Sequence, residues 1–413
     1  RRFVYTAAVD YLDAALQQLL TLPPTADRTK QEVTLLLAKA SYLVPVHGLV
    51  SPAKISLCQR IEAIVDQMTD ERLRFLAKGE LRGFYGVAGY MKEAYAQAEQ
   101  LLALAHQQED LFLYAVAYQG YSMVNLQVGQ FANARQYWSK IEALFYEAFS
   151  AAQRLEYGSF TITMGYLALV LWLLGYPDQA RRKMTAAMAQ AEVEANPTEF
   201  SMLLFFAQLL YCHMGEAALV FAVWEKIDLL ATRYAIWLTK FQSLAMQGWL
   251  LVAQGDFEQG TAQMHIEIDE LKKIGHTMFQ THRMGLLIEA QLKAGQFTDA
   301  ATTLAEAFAM AEQSGQRSWD AELYRLKGEL LAATGKSNPE VTLAYEQAQQ
   351  IARQQNAKSL ELRATVCLCR RLQRQGKRSE ARQMLAEIYT WFTEGFDTAD
   401  LQAAKALLEE LSV

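Results

Sequence analysis

Apolar residues recur along the chain at spacings of three and four with good helix formers between them, and strand-like alternation is absent over any useful length. Leu323, Leu326 and Leu330 make one such stripe; Val341, Ala344, Ala348 and Ile351 make the next. The most apolar run, Met164 to Leu174, is well short of the roughly 20 residues that a membrane-spanning helix needs, so it predicts a helix buried on all sides within a helical stack. The pattern is all-α.

Between the stripes a glycine returns at a nearly fixed interval. Gly48, Gly89, Gly129, Gly175, Gly215, Gly255, Gly295, Gly335 and Gly376 follow one another at steps of 41, 40, 46, 40, 40, 40, 40 and 41. Five residues later stands alanine in six of the nine cases: Ala53, Ala94, Ala134, Ala180, Ala300 and Ala381. Each glycine predicts a helix ending in the left-handed C-cap conformation with a second helix starting at once, and the alanine lets the two pack closely. Pro177 and Pro339 suit a first helical turn, where no amide partner is needed. The stretch "GELLAATGKS", residues 328 to 337, ends in the Gly-Lys-Ser that closes phosphate-binding loops, but Leu330 stands where that loop requires glycine and no strand feeds it. It reads as the same turn, with Lys336 and Ser337 as turn residues and Asn338 capping a helix that begins at Pro339.

Helix pairs of this kind bury a continuous core only against their neighbours. The expected fold is therefore a tetratricopeptide-like helix-turn-helix solenoid, a right-handed superhelix of about nine pairs of about 40 residues with a long concave face. It forms one continuous domain: a repeat array over 1–393, in which 1–21 is the remnant helix of a truncated repeat, and a capping helix over 394–413. An opening on Arg1, without methionine or a signal-peptide pattern, predicts a fragment of a larger polypeptide.

The units resemble tetratricopeptide repeats lengthened from the usual 34 residues, and Gly248 and Gly328 stand seven before their turn glycines, where that repeat often has glycine. "AELYRLKGELL", "VLWLLGYPDQA" and the stretch from "AKSLELRATVCLCRRLQRQGKRSEA" to "LLEEL" resemble the C-terminal repeat region of bacterial STAND/AAA-type signalling ATPases. In those proteins a cyclase, kinase or DNA-binding front end precedes the ATPase. The resemblance implies a non-enzymatic sensor and scaffold array that regulates an attached or partner ATPase. None of the ATPase or cyclase motifs is present, so no catalytic residue is carried over.

Composition narrows this further. A formal charge of −6 and a pI near 5.7 give little reason to expect a nucleic acid partner. Cys58, Cys212, Cys367 and Cys369 have neither disulfide-framework nor zinc-knuckle spacing, which predicts reduced cytoplasmic thiols acting as small buried hydrophobes, with no metal and no cofactor. His213 and His282 have no metal-binding partner on their own helices and read as core or solvated histidines. Residues 353 to 382 carry nine Lys or Arg against Glu361 and Glu380, a net +7 that suits a solvated face or a surface for phosphate or an acidic partner.

In tetratricopeptide arrays the first helix of each pair lines the concave face. By that resemblance the central units contribute Gln119, Met123, Trp172, Met202, Phe205, His213, Gln242 and Trp249, an apolar wall with a few amides. The last units contribute His282, Glu289, Lys293, Glu322, Arg325, Glu329, Arg363, Arg370 and Arg374, a charged wall. Such a groove suits a peptide, an amphipathic helix of a protein, or a small effector. The partners expected are that ligand and the ATPase domain, without nucleic acid or membrane, and the open apolar edge at the N-terminus favours a homo-oligomer. Two alternatives are a free-standing interaction scaffold and an α/α-toroid enzyme with paired carboxylates in a central funnel.

Overall fold

The computed structural model describes the chain except residues 1, 48–49, 151–159, 195, 235–240, 242 and 413, and the side chains of 2–4, 44–47, 194 and 198. Gly48 and Gln242 thus lie outside the described residues. Those described form twenty helices and no strand. In order they are α1 (Arg2–Leu20), α2 (Ala26–His47), α3 (Pro52–Val65), α4 (Glu71–Ala88), α5 (Met91–Gln108), α6 (Leu111–Gln127), α7 (Phe131–Ala143), α8 (Phe160–Leu173), α9 (Pro177–Glu194) and α10 (Pro197–Met214). Then follow α11 (Ala217–Tyr234), α12 (Leu244–Ala253), α13 (Phe257–Lys273), α14 (Gln280–Lys293), α15 (Phe297–Ser314), α16 (Asp320–Ala333), α17 (Asn338–Gln354), α18 (Lys358–Arg374), α19 (Arg378–Tyr389) and α20 (Ala399–Ser412). A π-helical turn, Leu144–Ala148, extends α7.

From α4 to α19 the helices pair across the recurring glycines, and all eight of those from Gly89 to Gly376 have φ between 71° and 90°. That is the left-handed C-cap conformation the spacing predicts. The first helix of each pair lies inside and the second outside. The inner helix α8 takes this furthest, for all of its residues from Phe160 to Leu173 are buried, including Thr161 and Thr163. Among the described residues, no helix is both long and apolar enough to cross a membrane. The fold is an all-α solenoid.

The solenoid coils tightly enough that one superhelical turn rests on the next. Thr277 donates its N–H and its hydroxyl to the carbonyl of Val87, both at 2.9 Å. The N–H groups of Arg317 and Ser318 meet the carbonyl of Gln127 at 2.8 and 3.1 Å, and the Ser359 hydroxyl donates to Trp172. The first and last of these contacts span 190 and 187 positions, so each unit meets the one between four and five repeats later. A closed toroid would instead join the first unit to the last.

This seam gives some of the turn glycines a second duty. A Cβ on Gly89 would stand 2.7 Å from Thr277 Oγ1, and one on Gly215 would stand 2.8 Å from the Cβ of Ala399, whereas Gly255, Gly295, Gly335 and Gly376 have open space there. The same sequence mark therefore means only a helix end in the late units, and a helix end plus close backbone approach in the early ones.

At the Gly-Lys-Ser stretch the structure corrects one expectation. Helix α17 begins at Asn338, one residue earlier than expected, and its cap is Ser337. The Glu340 carboxylate accepts from the Ser337 hydroxyl at 2.6 Å and from its N–H at 3.2 Å, so the glutamate three residues on selects the cap.

These observations rank four substitutions. Lys336→Ala leaves the melting temperature unchanged, Ser337→Ala costs about 1 kcal/mol as loss of a cap, and Gly335→Ala costs about 1–2 kcal/mol for left-handed backbone alone. Gly215→Ala costs more than Gly335→Ala, because its methyl also collides with Ala399. Equal losses for the two glycine variants in thermal melts contradict the seam.

Candidate functional site

Five consecutive inner helices, α10, α12, α14, α16 and α18, converge with the terminal helix α20 on a cavity of about 310 Å³. The repeat itself builds the wall: Trp249, Glu289, Glu329 and Arg370 each stand six residues before their turn glycine, so successive inner helices present them at one level. Leu286, Leu362 and Val366 supply apolar surface, and Lys293, Arg325, Arg363 and Asp400 complete the charged lining. His213 and Gly215 from the first superhelical turn face Arg363 and Ala399 from the second. The cavity exists because the coil closes.

Its charges form a network around Glu322, which is buried behind the wall. Glu322 pairs with Arg325 at 2.7 Å and with Arg363 at 3.5 Å. Arg363 also meets Asp400 at 2.7 Å, donates to the His213 carbonyl at 2.9 Å, and lies over the Trp172 ring at 5.2 Å. Lys293 pairs with Glu289 at 2.8 Å. Glu329 receives Arg325 at 3.4 Å and the Cys367 thiol at 3.1 Å. Arg370 is exposed and has no partner among the described residues. Burial alone would raise the Glu289 carboxyl, but Lys293, then Arg325 and Arg363, hold it down at about 2. Burial pushes the Cys367 thiol up to about 12, so it lines the cavity un-ionised.

Behind this lining lies an aromatic and imidazole cluster. Trp172 stacks on His213 with centroids 4.4 Å apart, and His213 Nε2 lies 2.7 Å from His282 Nε2. One imidazole donates and the other accepts, which requires the acceptor to be neutral and forbids both from being protonated. Burial, followed by neighbouring positive charge, lowers His282 to about 3; burial and then His282 push His213 well below its ordinary value. The two are core histidines partnered across helices, invisible to a search for ligands along one helix.

Of the residues expected on the concave face, the structure brings His213, Trp249, Glu289, Lys293, Arg325, Glu329, Arg363 and Arg370 together in this cavity. Trp172 and Phe205 are only 2% and 5% exposed. The open apolar wall expected at these two is filled instead: Arg363 and His213 cover Trp172, and Arg283 lies 5.3 Å over Phe205. Met202 is half-buried against the main core. Gln119 and Met123 lie on α6 in the earlier superhelical turn, where Met123 lines a separate cavity of about 90 Å³ with Arg82. The basic segment is largely drawn into pairs: Arg353 and Lys358 hold Glu361, Arg363 turns inward, and Arg378 donates to the Glu410 carbonyl. Sequence reasoning did not place Asp400, on the helix read only as a terminal cap, or Cys367, read as a buried hydrophobe, at the cavity that both line.

No family model matches the chain. An uncharacterized protein of Rhizobium meliloti (strain 1021) is 26% identical over 231 residues, 54% of this chain and 22% of that protein, so the match spans about a fifth of the relative's length. Among solved structures, a Rap protein complexed with Competence and Sporulation Factor is similar with a TM-score of 0.59 and 13% identity, covering 92% of this chain and 99% of that one. The fold is a tetratricopeptide-like solenoid. The apo quorum sensor NprR from B. thuringiensis gives a TM-score of 0.48 at 13% identity over 87% of this chain and 98% of its own.

The buried histidines set an acid limb of stability. His276 and His282 titrate near 3 when folded against an ordinary value of 6.5. Between those values the unfolded chain binds more protons, so the stabilisation is complete above about pH 6.5 and falls as pH drops toward 3, by at most about 1.4 kcal/mol per pH unit for each histidine. Urea midpoints measured from about pH 7 down to 5 should therefore decrease, with a shallower slope in His282→Gln. A slope in His282→Gln equal to that of the unmutated chain contradicts neutral burial of His282.

Proposed function

We propose that the chain is a non-enzymatic binding array whose axial cavity holds a peptide, a segment of a protein or a small effector, and that occupancy regulates an attached or partner signalling ATPase. The observation that carries this reading is the convergence of five successive inner helices and the terminal helix on one charged, aromatic-walled cavity. The likeness to a Rap protein solved in complex with Competence and Sporulation Factor supports a binding role for such a solenoid. The ATPase rests on the resemblance of the C-terminal repeats. Because the walls come from two superhelical turns, a bound ligand favours the closed coil over any opened one, which is the differential affinity that regulation needs. The cavity's carboxylates are engaged with Arg or Lys and its Cys367 thiol is un-ionised, which favours binding over acid-base or nucleophilic chemistry. A free-standing interaction scaffold would use the same cavity without the ATPase.

Trp249 is half-buried and lines the cavity, so its truncation tests the assignment. Trp249→Ala should abolish capture of ligands from a random-peptide library while leaving the helical circular dichroism intact. Phe205→Ala, by contrast, should cost about 3–5 kcal/mol of stability as a core truncation. Undiminished capture by Trp249→Ala removes this cavity as the site.

A further inference from the structure

Resting on the reading of the axial cavity as a binding site, we infer that its ligand is a zwitterion of the amino-acid or short-peptide class. Its carboxylate lies on Arg370, its ammonium on Glu329, and an apolar side chain packs against Trp249, Leu286 and Val366.

Charge balance is the first reason. The lining cations are Lys293, Arg325, Arg363 and Arg370; the carboxylates are Glu289, Glu329 and Asp400 in the lining and Glu322 behind it. Four face four. A ligand with net charge would add an uncompensated ion to a partly enclosed site, whereas a neutral ligand with separated charges would not.

The second reason is which charges are free to receive a ligand. Asp400 and Glu289 each have a close cation, at 2.7 and 2.8 Å, and Glu322 is shared between two arginines. Arg370 has no partner among the described residues. Glu329 has only Arg325 at 3.4 Å and a neutral thiol at 3.1 Å, and its side chain is 42% exposed. One unpartnered cation and one half-exposed carboxylate, the most loosely held of the four, therefore stand at the same cavity.

Spacing is the third. The Glu329 carboxylate touches Cys367, and Arg370 follows Cys367 by three positions on α18, which places their Cβ atoms on one face roughly 5–6 Å apart. Arg370 and the loosely held Glu329 thus line the cavity about a helical turn apart, a gap that one amino acid or a dipeptide spans. The cavity of about 310 Å³ lies at the small end of the roughly 300–1,000 Å³ range for ligand pockets. It takes one or two residues, and not the amphipathic helix that an open groove would hold.

The test is isothermal titration of the full 413-residue chain with leucyl-leucine, its N-acetyl form and its C-terminal amide. The dipeptide should bind, and each capped form should bind about tenfold more weakly or worse, as expected for loss of a charge-assisted contact. Glu329→Gln should erase discrimination against the N-acetyl form alone, and Arg370→Gln discrimination against the amide alone. That crossed pattern does not arise from general unfolding. Equal binding of free and capped dipeptides overturns the zwitterion. So does absence of binding while Trp249-dependent capture of longer peptides persists, and the site reading then stands without it. If both the dipeptide and the peptide library fail to bind, both readings fall.

Discussion

Everything in this molecule depends on the docking of one superhelical turn onto the next. Helix pairs joined at a glycine would by themselves give a curved ribbon of indefinite pitch, because each pair needs only its neighbours to bury its core. What fixes the pitch is a row of backbone contacts across the seam: Val87 with Thr277, Gln127 with Arg317 and Ser318, Trp172 with Ser359, and His213 with Arg363. These are hydrogen bonds to carbonyls at or near the ends of inner helices, which would otherwise lack intrahelical partners. Gly89 and Gly215 leave room for this approach, since a Cβ at either would stand within 3 Å of Thr277 or Ala399 on the next turn.

Closure converts a surface into an interior. An open concave face would leave α8 with one wet side; under the second superhelical turn it has none, which is why threonines as well as leucines along it are buried. Closure also turns Arg363 inward from a basic segment and lays it across Trp172, where a lone guanidinium would be costly to bury. Asp400, Glu322 and the His213 carbonyl together satisfy it. The residual space along the axis is the cavity, shaped by the same contacts that set the pitch, so binding and superhelical geometry are coupled by construction.

Sequence revealed the local rules well and the long-range rule not at all. The glycine period located the helix-pair turns, and the inner-helix register picked out Trp249, Arg325 and Arg370, which line one cavity, because both follow from spacing within a repeat. The cap was misjudged by one residue because Ser337 and Asn338 are both capping residues, and the choice falls to Glu340. The seam left no mark in any one repeat, since it joins residues 150 to 190 positions apart whose side chains share no motif. That is why Trp172 and Phe205 suited an open wall and are covered, and why Asp400, on the terminal helix, went unnoticed as a lining group. Gly89 and Gly335 look alike in sequence and differ only in what a neighbouring turn places beside them.

The central claim is that the coil is closed before any ligand arrives. Residues Gln136 and Lys358 line one cleft from opposite sides of the seam, on α7 and α18. Spin labels on Gln136→Cys and Lys358→Cys, in a chain whose native cysteines are replaced, report that separation by pulsed dipolar spectroscopy. A closed coil predicts a single narrow, short distance in the free protein. A broad distribution at long distance, narrowing only when ligand is added, would contradict it.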